Sequence, residues 1–292
     1  MIIRLFFVML FVGFNGIAAG KISAIDDERH VLVLDQAARR IVTLSPSLAE
    51  IVFAVGAGDR LVGVSSYSDF PAAASKVQVV ASSGRIDIER LRSLRPDLVI
   101  GWLSGNPRRD IDRLKRERMP VFMTEPRRLA DIASIVRSIG TLAGTPGTAE
   151  AAARSFEEAI AALSVATNKT NALVPTFVEI WHRPMLTVSG AHLITDILRV
   201  CGATNVFEGI PMLTARVSAE QLLVANPSLL IVSGLNEQRT AIVNRWRAFQ
   251  LLRAVQHDNI AVIDPRTLHR QGVRIVEGVR GVCAAVREVR PS

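Results

Sequence analysis

The chain carries one short pattern twice, and this repeat limits the folds that are open to it. The segment RIDIERLRSLRPDLVIGW begins at Arg85, and the segment RVSAEQLLVANPSLLIVSG begins at Arg216. The matching residues share one offset of 131 positions; they are Glu89 and Glu220, Leu91 and Leu222, Pro96 and Pro227, Leu98 and Leu229, and Ile100 and Ile231. We therefore expect two related halves.

A second repeat supports this division. LAEIVFAVGAGDRLVG, which begins at Leu48, matches ITDILRVCGATNVFEG, which begins at Ile194, at an offset of 146 positions. The aligned pairs include Glu50 and Asp196, Gly56 and Gly202, and Gly63 and Gly209. Because the two offsets differ, the first half carries about fifteen additional residues between its repeats, in SSYSDFPAAASKVQVVASS.

Short apolar segments alternate with helical ones in both halves. The predicted strands are HVLVLDQ, RIVTLS, DLVIGW, PVFMTE, TFVEIW, TVSG, SLLIVSG and NIAVIDP, and most are followed by an amphipathic helical segment. Strands separated by helices of ten or more residues pair in parallel through helical crossovers. The sequence thus predicts an α/β protein made of two Rossmann-like lobes with central, mainly parallel sheets.

One long helical segment has no strand directly behind it. TPGTAEAAARSFEEAIAALSVATNK is rich in alanine and glutamate and begins with Thr145 and Pro146, which suit a helix start. A helix of about 20 residues spans about 30 Å, so it is long enough to join two lobes rigidly and leave a cleft between them. We expect an N-terminal lobe over 39–145, a connecting helix over 146–170 and a C-terminal lobe over 171–290.

The first twenty residues, MIIRLFFVMLFVGFNGIAAG, are typical of a cleaved signal peptide. One early positive charge precedes a strongly apolar run, and small residues follow at Ala18, Ala19 and Gly20. A permanent membrane anchor is the alternative, although the run is shorter than the roughly 20 residues that a spanning helix needs. No cysteine follows for lipid attachment, so we expect a soluble periplasmic protein.

Export also bears on the two cysteines and on the charge. Cys201 and Cys283 are the only cysteines, and a disulfide persists in an oxidising compartment; two buried thiols are the alternative.

The formal charge is +8, but the arginines of NPRRDIDRLKRERMP alternate with acidic residues at helical spacing. That pattern is typical of an ion-paired, solvated helix face, and we expect no nucleic-acid partner.

The repeated glutamates lie where each half begins a helix. Asp87 is placed to cap the helix that contains Glu89, and Ser218 is placed to cap the one that contains Glu220. A carboxylate in a first turn is stabilised by the helix dipole by about 0.3 to 1 kcal/mol, so both glutamates fit a capping role inherited through duplication. The other explanation is a matched pair of acidic contacts for a two-fold symmetric partner.

Several segments together resemble a known family. RIVTLSPSLAEIVFAVGAGDRLVGVSSYSDFP, the repeat around Glu89, LRVCGATNVF and VSAEQLLVANP closely resemble the periplasmic vitamin B12-binding proteins of ABC importers, within the wider family that binds iron-siderophores, haem and B12. The similarity covers roughly 39–290. It implies two lobes joined by a rigid helix, no catalytic activity, no catalytic cofactor and no resident metal. It also implies a disulfide between Cys201 and Cys283.

The resemblance further implies the partners. The ligand expected between the lobes is cobalamin or a related corrinoid, and the protein partner is the dimeric permease of an inner-membrane importer. Glu89 and Glu220 match the docking glutamates of the family, which face arginines of the permease. The binding protein itself is expected to be a monomer.

Aromatic residues are the first candidates for the ligand site. Tyr67 matches the tyrosine of the family's SSYSDYP-like loop, Trp102 ends the DLVIGW segment, and Trp181 in EIWHRP falls where members place an aromatic side chain. Aromatic rings bring large apolar area and a flat face; the alternative is that Trp102 and Trp181 are core residues at strand ends. Better-known cobalamin binders have tryptophan where this chain has Ser83 and Thr214.

Histidines and arginines give weaker signals. His182 and His269 are possible axial ligands of a cobalt or iron centre, although a lone histidine near a cleft is more often a hydrogen-bonding residue. The side chains suited to a phosphate or propionate of the ligand are those of Arg183, Arg266 and Arg270.

Two other functions compete with corrinoid binding. The first is binding of haem or an iron-siderophore by the same fold, with Tyr67 and His182 acting on iron. The second is a periplasmic hydrolase or metalloenzyme, which the sequence disfavours: GVSSYS lacks the second glycine of a nucleophile elbow, and no HExxH motif occurs.

Overall fold

The computed structural model describes residues 20–82, 84–167 and 172–289. Residues 1–19 of the predicted signal peptide, Ser83 and the last three residues of the predicted connecting helix lie outside this range. The strands are β1 (Ile22–Ile25), β2 (Val31–Leu34), β3 (Ile41–Thr43), β4 (Leu61–Ser65), β5 (Val79–Ser82), β6 (Arg85–Ile86), β7 (Leu98–Trp102), β8 (Val121–Thr124), β9 (Val174–Glu179), β10 (Leu186–Val188), β11 (Ala203–Asn205), β12 (Thr214–Arg216), β13 (Leu229–Ser233) and β14 (Ile260–Ile263). The helices are α1 (Pro46–Ala54), α2 (Ile88–Ser93), α3 (Arg108–Arg116), α4 (Leu129–Leu142), α5 (Pro146–Thr167), α6 (Leu193–Val200), α7 (Ala219–Ala225), α8 (Arg239–Arg247), α9 (Arg253–Gln256), α10 (Pro265–Leu268) and α11 (Ile275–Val289).

Two separate sheets confirm the predicted fold class. The first has six strands in the order β6-β5-β4-β3-β7-β8, all parallel except β6, and the second has four parallel strands in the order β11-β9-β13-β14. In the first sheet β3 lies between β4 and β7, and in the second sheet β9 lies between β11 and β13. The two halves therefore share one topology, as duplication requires.

The repeats of the sequence coincide with the elements of the structure. The helices α2 and α7 begin at the same offset, after Asp87 and Ser218, and both of these residues accept a hydrogen bond from a backbone amide of the first turn. The strands β7 and β13 also match end to end. Gly56 and Gly202, just after α1 and α6, have φ values of +76° and +74°, a left-handed conformation that glycine adopts without a Cβ clash.

The two halves differ mainly at one edge. The additional residues of the first half lead into β5, which extends the first sheet beyond β4, and β6 then closes that edge by antiparallel pairing. In the second half β12 instead pairs with β10 in a separate antiparallel ribbon. The sequence signal for extra residues therefore marks a wider first sheet.

The helix α5 joins the two halves. It is 22 residues long and packs against α4 and α11. Gly140 of α4 permits close packing, since a Cβ there would lie 2.0 Å from the Ala149 Cβ of α5. Arg137 of α4 adds ion pairs to Glu150 and Glu157 of α5, each at 2.7 Å. The proposed lobe boundaries at 145, 170 and 290 stay a prediction.

An N-terminal hairpin precedes the first lobe. Only its second strand was expected from the sequence; β1 and β2 pair in an antiparallel register. Acidic residues of the hairpin bind the first lobe: Asp27 accepts a hydrogen bond from the Glu125 amide, and Glu28 accepts one from Arg108 at 2.8 Å. Residues 20–34 are therefore an integral part of the fold.

Two further expectations are met outside the sheets. Arg108 pairs with Asp112 at 3.0 Å and Arg113 with Glu117 at 3.1 Å along α3, so this basic stretch is the ion-paired surface helix that its spacing predicts. Cys201, at the end of α6, is disulfide-bonded to Cys283 of α11. In the part of the chain that the structure describes, no helix combines the length and apolar character required to cross a membrane.

Candidate functional site

The predicted ligand residues all follow the carboxyl ends of parallel strands. Tyr67 lies two residues beyond β4, Trp102 is the last residue of β7, and Trp181 and His182 come directly after β9. His269 follows β14 and the short helix α10. In open α/β sheets, ligands bind outside the carboxyl ends of the strands, so the topology places all five candidates on the edges where binding is expected.

The loops at these edges meet across the two lobes. Arg270, which follows β14, donates to Glu50 of α1 at 2.9 Å, to Asp69 at 2.6 Å and to the Tyr67 carbonyl at 3.0 Å. The arginine is 12% exposed and the glutamate only 1%. A guanidinium with three acceptors, one of them a fully buried carboxylate, restrains both lobes, because separating them would leave the buried Glu50 charge without this partner.

A second arginine strengthens the same contact. Arg274 places its guanidinium 3.5 Å from the Glu50 carboxylate and 4.0 Å from the ring centroid of Phe70, within the range of a cation–π interaction. Burial raises the pKa of Glu50, and the two arginines oppose that rise. The hydrogen bond from Arg270 lowers the pKa of Asp69. We call Glu50, Asp69, Phe70, Arg270 and Arg274 the cross-lobe cluster.

This cluster corrects part of the sequence analysis. Arg270 was expected to bind an anionic group of the ligand, but its donors are used by Glu50, Asp69 and the Tyr67 carbonyl. Arg266 was given the same role, and its guanidinium instead pairs with Asp264, two residues earlier.

Arg183 differs from those two arginines. Within residues 20–82, 84–167 and 172–289, its side chain has no carboxylate partner. Its backbone carbonyl does accept a hydrogen bond from the Trp181 ring, as described below. Of the three arginines that the sequence singled out, Arg183 is the one that retains an available charge.

Tyr67 is held in an unusual backbone conformation. Its φ is +65° and its side chain is 80% exposed. A non-glycine residue with positive φ is uncommon and costs of order 1 kcal/mol or more, so it persists only where the surroundings enforce it. Here Arg270 binds the Tyr67 carbonyl and Ser66 donates its amide to Ala81 at 2.7 Å. The loop thus presents a phenol ring to solvent from a fixed backbone.

Trp102 is half-buried, in contrast to Tyr67. Its amide donates to the Asn106 side chain at 2.7 Å, and Asn106 in turn donates to the Leu44 carbonyl at 2.9 Å. The indole lies over Gly105, where a Cβ would come within 1.8 Å of the ring. The indole Nε1 is buried without a protein partner. One ring face therefore packs on the first lobe, which agrees in part with the alternative that Trp102 is a core residue.

Trp181 is an exposed aromatic of the second lobe. Its side chain is 62% exposed, and its Nε1 donates to the Arg183 carbonyl at 2.9 Å. Backbone pairing with Leu186 fixes the residue at the end of β9. The third tryptophan, Trp246, is fully buried and packs edge-on against Phe177. Trp181 is thus not a core residue, whereas Trp246 is.

The two predicted histidines have different surroundings. His182 is exposed and lies 3.6 Å from Glu179, which is bound by both terminal nitrogens of Arg245. Partial burial, followed by the charges of Arg245 and Arg183, lowers the pKa of His182. The imidazole is therefore neutral at neutral pH and retains a free lone pair for an acceptor role.

His269 and His192 form a half-buried pair of histidines that the sequence did not reveal. Its Nε2 lies 2.5 Å from the Ser233 hydroxyl, and burial lowers its pKa to about 4. His192 caps α6 by accepting from the Ile194 amide at 3.1 Å. Burial, with smaller effects from His269 and Arg127, lowers the pKa of His192 to about 4. The charge of Arg127, from the first lobe, thus acts on the neutral His192 imidazole of the second.

Sequence reasoning did not identify the contacts of Glu50 and His192. Glu50 was noted only as the partner of Asp196 in the repeat, and His192 has no local motif. The signal available in the sequence for Glu50 was an acidic residue at matching positions, Glu50 and Asp196, of a duplicated segment. No local signal marks His192, because its partners come from other elements.

The largest cavity lies away from the candidate residues. It has a volume of about 740 Å³ and is lined by Val174 and Ser228, at the amino ends of β9 and β13. The next, of about 510 Å³, is lined by Leu103, Glu125 and Arg127, just beyond the carboxyl ends of β7 and β8. None of the five main cavities of the described residues is lined by Tyr67 or Trp181. The rings of Tyr67 and Trp181 are therefore exposed outside these five cavities.

The predicted docking glutamates lie in the first turns of α2 and α7. Glu89 is 76% exposed and pairs with Arg113 at 3.3 Å. Glu220 is also exposed, and the Ser218 hydroxyl lowers its pKa. Each helix runs back toward the amino end of the next parallel strand, so its first turn lies on the same side of the lobe as the strands' carboxyl ends.

Comparisons with known proteins agree with this architecture. The sequence is 31% identical over 251 residues to a vitamin B12-binding protein of Vibrio cholerae, covering 86% of this chain and 90% of the relative. The crystal structure of the periplasmic vitamin B12 binding protein BtuF of Vibrio cholerae superposes with a TM-score of 0.81 at 31% identity, over 87% of this chain and 99% of that one.

A more distant structure shows the fold alone. The periplasmic heme-binding protein RhuT from Roseiflexus superposes with a TM-score of 0.76 at 21% identity, over 87% of this chain and 99% of that one.

The sequence model described as "Periplasmic binding protein" matches residues 41–267, which include both sheets. The chain belongs to the periplasmic binding protein family.

Proposed function

We propose that the protein captures cobalamin or a related corrinoid between its lobes and delivers it to an inner-membrane ABC importer. The observation that carries this proposal is the 31% identity to a vitamin B12-binding protein over 86% of this chain. In this proposal residues 1–20 direct export, and the mature monomer works in the periplasm.

The aromatic residues support a large, flat ligand. Tyr67 of the first lobe and Trp181 of the second are exposed, and Trp102, at the end of β7, is partly exposed. Exposed aromatic rings are costly to leave in water, and they provide broad apolar contact once a ligand covers them. We assign these three residues to the corrin, with His182 and His269 as polar contacts at its edges.

Haem or a ferric siderophore is the second candidate. Thr214, where better-known cobalamin binders have tryptophan, is an exposed residue of β12, and the other such position, Ser83, lies outside the described residues. An exposed phenol on Tyr67 together with a neutral His182 suits iron coordination. This chemistry is the specific reason to test iron ligands alongside corrinoids.

Absorbance titration of the purified mature protein separates these ligands. Cyanocobalamin, cobinamide, haemin and a ferric siderophore are each titrated at neutral pH. We expect a corrinoid to bind with a Kd below about 10 μM, which corresponds to about 7 kcal/mol. Failure of every corrinoid at that concentration, with haemin or siderophore binding tightly, would replace the first proposal by the second.

We further propose that the protein binds its ligand without transforming it. The carboxyl-end residues are aromatic rings, neutral histidines and paired arginines, which suit holding a ligand. Mass spectrometry of the ligand after prolonged incubation with the protein is expected to return it unchanged. Turnover that disappears on replacing a single serine or histidine would contradict a pure binding role.

Docking to the importer is assigned to Glu89 and Glu220. Both are exposed carboxylates in matching helices of the two lobes, which suits a permease with two equivalent halves. In proteoliposomes that contain the importer, Glu89→Arg and Glu220→Arg are expected to reduce uptake while the Kd for ligand stays nearly unchanged. Normal uptake by the double variant would exclude this assignment.

A further inference from the structure

The two docking helices have different surroundings although their positions are equivalent. Glu89 of α2 is already paired with Arg113, whose guanidinium also contacts Glu117 at 3.1 Å. Glu220 of α7 has no cationic partner among the described residues; its neighbour is the Ser218 hydroxyl, which lowers its pKa. A partner's basic side chain must therefore displace Arg113 at the first lobe but meets an uncompensated charge at the second.

An apolar hollow lies beside Glu220. It has a volume of about 420 Å³ and is lined by Phe207, Gln221, Val224 and Ala225 together with Glu220. Val224 is 88% exposed, the largest exposed fraction among the large apolar side chains of the described residues. An apolar side chain in this position gains free energy when a partner removes it from water.

The matching positions of the first lobe are polar among the described residues. At the offset of 131 residues, Val224 corresponds to Ser93 and Gln221 to Arg90. Ser93 is exposed and donates its hydroxyl to the Arg90 carbonyl at 2.7 Å, and the Arg90 guanidinium lies 3.6 Å from Asp87. The face around Glu89 is thus polar and internally paired, whereas the face around Glu220 is apolar with one free negative charge.

We propose that the hollow beside Glu220 receives an apolar side chain of the permease, next to a basic side chain that Glu220 binds. This inference rests on the proposed docking role of the two glutamates and adds the chemistry of the partner surface. Docking energy then comes mainly from the second lobe, through buried apolar area. At the first lobe a basic side chain of the permease replaces Arg113 as the partner of Glu89. This exchange gains little free energy, because Arg113 loses its contact with Glu89.

A matched pair of variants tests the proposal. Val224→Asp and Ser93→Asp introduce the same charge at equivalent positions of the two lobes. If docking were purely electrostatic, both would change the affinity for a basic partner in the same direction. We expect Val224→Asp to weaken binding of the ligand-loaded protein to the importer in nanodiscs at least 10-fold, and Ser93→Asp to change it less than 3-fold.

Salt adds an independent readout. Surface ion pairs are screened within a Debye length of about 8 Å at physiological ionic strength, and apolar contacts are not. Glu220→Gln is therefore expected to leave a residual affinity that depends less on salt than that of the unmodified protein, and Val224→Ala to leave one that falls more steeply as salt rises. Both sites are exposed, so circular dichroism of each variant is expected to match the unmodified protein.

The possible results separate this inference from the proposals on docking and on ligand identity. Equal effects of Val224→Asp and Ser93→Asp, with Glu220→Arg still harmful, would overturn the apolar contact and leave docking in place. No effect of the double variant Glu89→Arg, Glu220→Arg would overturn the docking assignment and this inference with it. Ligand identity is measured by titration of the free protein, so its failure leaves the docking result intact.

Discussion

Glu50 and Asp196 occupy the same position of the repeated segment, and each carboxylate contacts the opposite half of the chain. Glu50 accepts from Arg270 at 2.9 Å, and Asp196 accepts from the backbone amide of Leu129, the first residue of α4, at 2.8 Å. Duplication has thus placed one acidic contact on each side of the lobe interface. Two reciprocal contacts of this kind, with α5 between the lobes, favour limited lobe movement.

Arg270→Ala is expected to weaken ligand binding without unfolding the protein. The change removes the contact that holds the Tyr67 carbonyl and leaves Glu50 buried beside Arg274 alone. We expect the Kd for ligand to rise about 10-fold, which is about 1.4 kcal/mol, in an absorbance or calorimetric titration.

Arg247→Ala is the matched control for that change. Arg247 also forms an arginine–aspartate pair in the second lobe, with Asp258 at 3.0 Å, but away from the carboxyl ends of the strands. An unchanged Kd in Arg270→Ala, or an equal loss in both variants, would show that the cross-lobe cluster does not position Tyr67.

Tyr67→Ala and Trp181→Ala are each expected to raise the Kd about 10-fold. Each change removes one exposed ring that we assign to the ligand, and aromatic contacts of this kind contribute about 1 to 2 kcal/mol. Leu251→Ala, which removes an exposed apolar side chain beside α9, serves as the control and should bind normally. Quenching of tryptophan fluorescence by ligand should also decrease in Trp181→Ala; full quenching there would contradict the assignment.

Stability is expected to fall as the pH decreases from about 6.5 toward 4. The folded-state pKa of His192 and of His269 is about 4, below the usual 6.5, so the unfolded chain binds more protons in this window. Stability from this source is complete above pH 6.5, and each depressed pKa accounts for about 3 kcal/mol that is lost by pH 4.

Urea unfolding at pH 7.5, 5.5 and 4.5 measures this dependence. His192→Asn keeps a side chain that is able to cap α6 and removes the titrating group, so its free energy of unfolding should vary less with pH. His257→Asn, at an exposed position, should follow the unmodified protein. Identical pH profiles of all three proteins would show that the histidine pair does not control acid stability.

Removing the disulfide is expected to destabilise the fold without altering the site. Cys201 and Cys283 are separated by 82 residues, and closing a loop of that size contributes about 4 kcal/mol in the chain-entropy model. The double variant Cys201→Ala, Cys283→Ala should unfold at lower urea concentration by about that free energy. Its ligand Kd in the absence of urea should match the original protein; a large loss of affinity would indicate that the bond also shapes the cleft.

The local elements and their duplication could be predicted from the sequence alone. The offset of 131 residues correctly predicted that Asp87 and Ser218 each cap a helix and that matching strands follow. The same reasoning predicted the long helix α5 and the parallel sheets. These features depend on capping, periodicity and turn residues, which are properties of neighbouring positions, so the sequence displays them directly.

The contacts between distant side chains became known only from the folded structure. Arg270 lies 220 residues from Glu50, and nothing in the local pattern around either one distinguishes a ligand contact from a cross-lobe ion pair. Likewise Trp246 is buried although it stands between Arg245 and Arg247, and Trp181 is exposed although it follows an apolar strand. Burial and charge pairing depend on how distant elements pack, and the free energies that select those contacts arise only once both lobes have folded and come together.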